Sequence, residues 1–233
     1  MLRRYEMYSI DPAAPPAAVR RLADAFRLCG HVIPEVLDSA IGTNLSDAPV
    51  RLVWEHAYAS PEAYQRYMVH PFHACILDRS LLADSPERIV TSNDLNAGLV
   101  GYACDTPVYR LPAGVRRLVL LDLAEDATPD AVAALADTIG RGAAEIDGLA
   151  VSVVAANTMA SAWMDGVTPI TGRPQWSHVW EQGWASLAAF EAYRDGTSAL
   201  ADAERRAWEG AGGGIVRRAA SVHYKMLTAG PPR

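Results

Sequence analysis

Residues 53–60 read VWEHAYAS, and residues 179–186 read VWEQGWAS, the same phrase at an offset of 126. The likeness continues beyond it, where Ala63-Tyr64-Gln65-Arg66-Tyr67 maps onto Ala189-Phe190-Glu191-Ala192-Tyr193. Upstream the offset is 113. Arg3-Arg4 answers Arg116-Arg117, Pro16 answers Pro129, and Val19, Leu22 and Asp24 answer Val132, Leu135 and Asp137. Ile33 answers Ile146, and Asn44 answers Asn157. The 13 extra residues of the second copy must lie between Asn157 and Trp176. The chain therefore reads as two repeats, 1–102 and 114–228, joined by a Pro- and Gly-bearing linker at 103–113 and followed by a short tail, 229–233.

Each copy predicts the same order of elements. A first strand (4–10; 117–123) leads to a helix (16–29; 129–143) with proline in its first turn and apolar residues at helical spacing. Second strands follow at 35–42 and 149–156, and third strands at 51–58 and 177–184. Thr128 suits a cap for its helix, and Ser60-Pro61-Glu62 opens a second helix with a cap, a first-turn proline and an acid at the positive dipole end. Last strands fall near 97–103 and 216–226. The order βαββαβ is that of a ferredoxin-like unit, an α+β class. The strand RLVLLDL (117–123) is apolar on both faces, so both must be buried. Two modules packed sheet on sheet into a barrel within one chain satisfy that need.

Composition sets the outer limits. The 233 residues would make about one and a half average domains, which the repeat resolves into two modules. Half are hydrophobic and 21% charged, which suits a folded protein and excludes a disordered one. The net charge of −6 argues against nucleic acid as a partner. No apolar run has the roughly 18 residues a membrane helix needs, and MLRRYEMYSI is too short and polar for a secretory signal. Cys29, Cys75 and Cys104 are odd in number and widely spaced, which suits a reducing cytoplasm and neither a disulfide framework nor a zinc knuckle.

Strand alternation sorts the candidate site. Leu52, Trp54, His56 and Tyr58 share one face of the third strand, and Arg4, Glu6 and Tyr8 share one face of the first. The second copy carries His178, Trp180, Gln182 and Trp184, with Arg117, Val119 and Leu121. On the second helix Tyr67 and His70 are neighbours at i, i+3, whereas Tyr67 and His73 at i, i+6 leave one face of a straight helix. Either histidine could instead cap that helix. His56, His178 and His223 could be core histidines, and Arg4 with Glu6 a strand-edge ion pair. His31, beside Gly30, reads as a helix C-terminal group. His70, His73, Glu6 and His56 form only a weak metal set, and no metal is expected. Gly210–Gly214 lacks the lysine and hydroxyl of a phosphate loop.

Tyr67-Met68-Val69-His70-Pro71-Phe72-His73, on a helix after a third strand, resembles the Y-x-x-H-P-x-H signature of the stress-responsive dimeric α/β-barrel (Dabb) family, which includes plant olivetolic acid cyclase. The resemblance covers nearly the whole chain as a tandem fusion. It implies that two ferredoxin-like modules pack into an intrachain dimeric α/β barrel, with a ligand cavity on the helix-facing side. It implies His73 as catalytic acid/base and Tyr67 as its partner, without an external cofactor. The family's first-strand histidine falls at Arg4 here (or Tyr5), and a guanidinium is a poor general base. Its third-strand pocket histidine falls at Leu52 in the first copy and His178 in the second. The second copy also replaces His70, Pro71 and His73 by Gly196, Thr197 and Ala199.

The expectation is thus a cofactor-independent lyase or cyclase acting by proton transfer on a small aromatic or polyketide-like molecule. His73, Tyr67 and Glu6 would be catalytic, and Arg4, Tyr8, Trp54, His56, Tyr58, His70, His178 and Trp180 would bind substrate. Glu6 would orient the substrate or take the proton, and the aromatic residues would give flat walls. A non-catalytic stress-response or hydrophobic-ligand carrier, and a cofactor-free monooxygenase of quinol-like substrates, are the other classes these residues suit. The expected partners are a small apolar or aromatic molecule and, as an assembly, a homodimer of the tandem chain. The insertion at 158–176 could be a lid or an ordinary loop.

Overall fold

A computed structural model describes residues 1–82, 84–91, 100–104, 114–144, 146–158, 176–195 and 214–227. The linker from 105 on, nearly all of the insertion, residues 196–213 (with Gly196, Thr197, Ala199 and most of the glycine run) and the tail lie outside them. The protein is a mixed α/β structure built on a large antiparallel sheet. Its strands are β1 (Leu2–Ile10), β2 (Val36–Asn44), β3 (Leu52–Tyr58), β4 (Val90–Thr91), β5 (Val100–Ala103), β6 (Val115–Leu123), β7 (Leu149–Ala156), β8 (His178–Trp184) and β9 (Val216–Met226). The helices are α1 (Pro16–Val32), α2 (Pro61–Met68), a π turn (His73–Leu77) running into α3 (Asp78–Leu81), α4 (Pro129–Ala144) and α5 (Leu187–Asp195). Among the described residues no helix is long and apolar enough to cross a membrane.

The sequence repeat is also a repeat of strand register. Arg4 pairs with His56 and Glu6 with Trp54 across β1 and β3, and Arg117 pairs with Gln182 and Val119 with Trp180 across β6 and β8. The bulge between Val36 and Asp38 on β2 recurs between Leu149 and Val151 on β7. The Trp54 indole donates to Ser39 Oγ (2.8 Å), and the Trp180 indole donates to Ser152 Oγ (3.0 Å). One cap repeats as well: Ser60 Oγ accepts from Ala63 N and Ser186 Oγ from Ala189 N, whereas Thr128 Oγ1, which accepts from Ala131 N, stands where the first copy has Pro15. Each hydroxyl satisfies a donor that a helix start leaves without an intrahelical partner.

The strand order is β4-β1-β3-β2-β9-β6-β8-β7, with β5 also on β1. The halves join where β2 meets β9 over Gly42–Asn44 and Tyr224–Met226. A Cβ on Gly42 would stand 2.3 Å from the Tyr224 ring, so only glycine lets this seam close. At the opposite margin Thr158 N donates to Gly101 O (2.8 Å) and Gly101 N to Asn157 Oδ1 (3.0 Å), tying the end of β7 to β5. Of the expected last strand of the first copy, 97–103, the described part is β5, and a further short strand, β4, lies along the same strand, β1. The first helix runs on to Val32, so Gly30 and His31 lie inside its last turn rather than beyond it. Gly30 serves close packing there, since a Cβ would stand 3.3 Å from Ser39 Cβ.

Between the halves lies an apolar layer including Tyr5, Val53, Leu118, Val179 and Val222, with four buried charges inside it. Arg3 Nη2 is 3.0 Å from both Glu55 Oε2 and Glu181 Oε1, and Arg116 Nε is 3.3 Å from Glu55 Oε1 and 3.9 Å from Glu181 Oε1. Tyr224 donates to Glu55 (2.6 Å), Tyr102 donates to Glu181, and Arg3 Nε donates to Tyr5. Arg3 and Glu55 come from one half, Arg116 and Glu181 from the other, at the two repeat offsets. Burial alone would push the Glu181 carboxyl up, but Arg3 and Arg116 hold it below the ordinary range. Replacing Arg116 by methionine leaves two carboxylates facing one cation, and the expected loss is about 3–5 kcal/mol of unfolding free energy. Urea denaturation checks this; a loss below about 1 kcal/mol would place the network outside the determinants of stability.

Candidate functional site

On the helix-facing side of β1 and β3 the alternation predicted from sequence brings Arg4, Glu6, Tyr8, His56 and Tyr58 into one cluster, covered by Tyr64 and Tyr67 of α2 and by His73. Glu6 is its hub. Arg4 Nη2 is 3.0 Å from Glu6 Oε1, His56 Nε2 is 3.2 Å from the same oxygen, and the Tyr8 hydroxyl donates to Oε2. His56 Nε2 makes no hydrogen bond there, while Nδ1 is 2.6 Å from the Tyr58 hydroxyl. The Arg4 guanidinium also lies 4.6 Å over the Tyr64 ring. Its Nε and Nη1 are buried with no hydrogen-bond partner.

The protonation states follow from burial and neighbours. Burial works against the Glu6 charge, yet Arg4, with His56 and Tyr8, holds its carboxyl down to about 2. Burial pushes His56 down to about 4, although Glu6 opposes it, so the ring is neutral at physiological pH. Burial also lowers His73, with Asp78 opposing, and raises Asp78, with His73 opposing. Burial raises Tyr58 and Tyr67 well above the usual phenol range, leaving both as hydrogen-bond donors.

His73 meets Tyr67 because the helix between them stops. α2 ends at Met68, His70 N bonds Tyr67 O, and the chain restarts beyond Pro71 into the π turn. The rings of Tyr67 and His73 then meet edge-on, with centroids 4.5 Å apart. The wide π turn also sets His73 Nδ1 3.7 Å from Asp78 Oδ2, with Nδ1 left without a hydrogen-bond partner. Single π turns inside helices often mark functional positions. Side-chain exposures of 10% for Glu6, 9% for His73 and 21% for Asp78 put solvent access at this side of an otherwise closed cluster.

Four expected binding residues stand elsewhere. Trp54 was expected as a substrate wall, but Phe26 stacks on it at 4.4 Å and His56 at 3.9 Å, both nearly parallel, so its faces are taken by the core. Tyr8 continues the same stack, 5.0 Å from Phe26, so it joins the cluster through its hydroxyl rather than as a flat wall. His70 accepts the Phe72 N–H on Nδ1 at 3.1 Å and so caps the chain where it turns. His178, beside Ser177 Oγ at 3.1 Å, and Trp180, packed with Val119 and Leu121, belong to the second half and do not join the cluster. Sequence reasoning missed Asp78 and Tyr64. Tyr64 was legible, since it lies one helical turn before Tyr67; Asp78 was not, because only a π turn brings i+5 beside His73.

Both His56 and Glu6 bind protons less readily in the folded chain than their ordinary values of 6.5 and 4.5 allow. The unfolded chain therefore takes up the extra protons, and stability is lost as pH falls: from 6.5 towards 4 through His56, then from 4.5 towards 2 through Glu6. His56→Gln, which copies the residue at the equivalent position 182, makes the first of these slopes shallower in urea midpoints measured against pH. An unaltered slope would show that His56 is not held neutral by the fold.

No family model matches the sequence, and no curated protein matches it either. Solved structures do match along nearly the whole chain. An anthrone oxidase-like protein is 17% identical with a TM-score of 0.60, covering 97% of this chain and 91% of its own. A proposed monooxygenase from Fusobacterium nucleatum subsp. nucleatum is 8% identical with a TM-score of 0.59 and the same coverage. A mutant chlorite dismutase from Candidatus Nitrospira defluvii is 12% identical with a TM-score of 0.58, again covering 97% and 91%. At these identities the likeness is one of fold.

Proposed function

We propose that the protein is a cofactor-independent acid/base enzyme of the lyase or cyclase type, acting on a small aromatic or polyketide-like carbon acid. We further propose that its repeats, 1–102 and 114–228, are two ferredoxin-like modules closed into one barrel. The register repeat, the β2–β9 seam and the β7–β5 hydrogen bonds support the barrel. One observation carries the functional reading: a buried arginine with unspent Nε and Nη1 donors shares a cluster with histidines held neutral.

The chemistry follows from these groups. Substrate enters beside Glu6, His73 and Asp78, and its carbonyl oxygen takes the free donors of Arg4. His73 accepts a proton from the adjacent carbon; the C–H electron pair becomes an enolate held by Arg4, with the Tyr67 hydroxyl as a second donor. Asp78 stabilises the imidazolium formed. The enolate then attacks a carbonyl of the same molecule and His73 gives its proton to the alkoxide formed; in the reverse sense His73 takes the proton of a β-hydroxyl, the carbon–carbon bond breaks to a carbonyl and an enolate, and His73 protonates the enolate carbon. Glu6, with its pKa near 2, is too weak a base to compete with imidazole, so its work is to hold Arg4. His70, which caps the turn, takes no part.

Cofactor-free monooxygenation is the second reading, favoured by the names of two of the fold relatives. It shares the proton abstraction and differs in consuming oxygen. Incubation with an aryl-substituted triketide and with a hydroxyanthrone, followed by product mass and an oxygen electrode, separates the readings. The triketide should turn over without oxygen uptake, and His73→Ala should cost about 10²-fold or more in kcat with the fold retained. His70→Ala should leave the rate nearly unchanged. An undiminished rate in His73→Ala would overturn the assignment; saturable binding without any product would leave a ligand carrier.

A further inference from the structure

Away from this cluster, a cavity of about 550 Å³ opens between the turn at Ser46–Pro49 and the first part of β9. That volume lies within the range of pockets that hold small organic ligands. The cavity exists because β9 is paired unevenly. β6 follows it along nearly its whole length, whereas β2 pairs only with Tyr224–Met226, and Leu45 N adds a bond to His223 O. Among the described residues no strand takes that edge before His223. Backbone groups alternate sides along a strand, so those of Ser221 and Ala219 turn to the same side as the His223 carbonyl, towards the cavity.

The walls combine apolar surface with donors. Ala48, Pro49, Ala219 and Ala220 supply apolar lining. Trp176 lines the cavity although it is only 2% exposed, and its indole Nε1 is buried with no hydrogen-bond partner. A buried donor without a partner is costly unless something else satisfies it. The guanidinium of Arg218, also lining the cavity, lies 4.2 Å over the Trp176 ring and brings positive charge to that donor. His223 is half-buried; burial lowers its pKa, as do Arg117 and Arg194, while Asp47 opposes, so its ring is neutral. Asp47 stands exposed at the turn, where water screens it.

We propose that this cavity is a second ligand site, separate from the His73 cluster, for a small organic anion with a flat apolar body and a carboxylate group. The carboxylate takes the Trp176 Nε1–H and the charge of Arg218, and the body lies against the alanines and Pro49. The site draws on both halves of the chain, with the turn from the first and Trp176 and β9 from the second, so it belongs to the joined protein rather than to either copy.

Benzoate, with neutral benzamide as control, tests this in the full chain by calorimetry and by the indole N–H signals of 15N-labelled protein. Trp176→Phe identifies the Trp176 signal by its disappearance. Benzoate should bind saturably at one site, move that signal, and bind about 10-fold more tightly than benzamide. Arg218→Ala, an exposed position, should weaken benzoate about 10-fold, Trp176→Phe should weaken it several-fold, and His73→Ala should leave it unchanged. The proposal is overturned if benzoate does not saturate by about 10 mM, or if benzamide binds equally well. It is also overturned if the moving signal is not that of Trp176, or if His73→Ala rather than Arg218→Ala removes binding. Melting curves of the variants confirm that each is folded.

Discussion

Four charges buried between the halves fix which face of the strands that carry them turns inward. Arg3, Glu55, Arg116 and Glu181 sum to zero, and each arginine lies near both carboxylates. None could be desolvated alone without a cost of several kcal/mol. Because side chains alternate along a strand, fixing Arg3 and Glu55 inward fixes Arg4, Glu6, His56 and Tyr58 outward, under the helices. A slip of one residue would expose the quartet's partners and reverse every face at once. The polar cluster around Glu6 is thus held in register by an ion network on the other side of the same strands.

The repeat was legible in the sequence to the level of individual pairs. The offsets of 113 and 126 that align the two copies are the offsets that relate β1–β3 pairing to β6–β8 pairing. Nearly all strand and helix limits agree with the spacing of apolar residues, caps and prolines. The buried quartet was less legible, although both of its residue pairs sit at repeat positions. Strand alternation says that Glu55 faces away from Trp54, but not that a carboxylate 126 residues on faces the same arginine. Tertiary partners from another half leave no local pattern.

The site shows a second limit. Residue types and alternation were enough to gather Arg4, Glu6, His56 and Tyr58, because a strand enforces the geometry. The segment from Val69 to Leu81 offers no such rule: a break, a proline, a capping histidine and a π turn decide where His73 points. Trp54 exposes another gap, since periodicity cannot tell a wall from the middle of a stack. Phe26, one turn before Cys29 on α1, fills the place where a ligand ring would have had to lie. In the second half the scaffold contact of Trp180 to Ser152 remains, while Val119, Leu121 and Gln182 stand where Glu6, Tyr8 and His56 stand in the first.

The quartet has a consequence for how such a chain can vary. Its charges are one Arg–Glu pair used twice, the set that two identical copies would bring to a shared interface. In a pair of separate copies, any altered residue appears on both faces, so chemistry and architecture must change together. A single chain that carries both sets of strands is free of that constraint. The interface still demands its four charges, but the two helix-facing surfaces become independent variables. One can concentrate ionised and neutral groups around a single carboxylate while the other drifts towards aliphatic packing, with no change to the interface that both depend on.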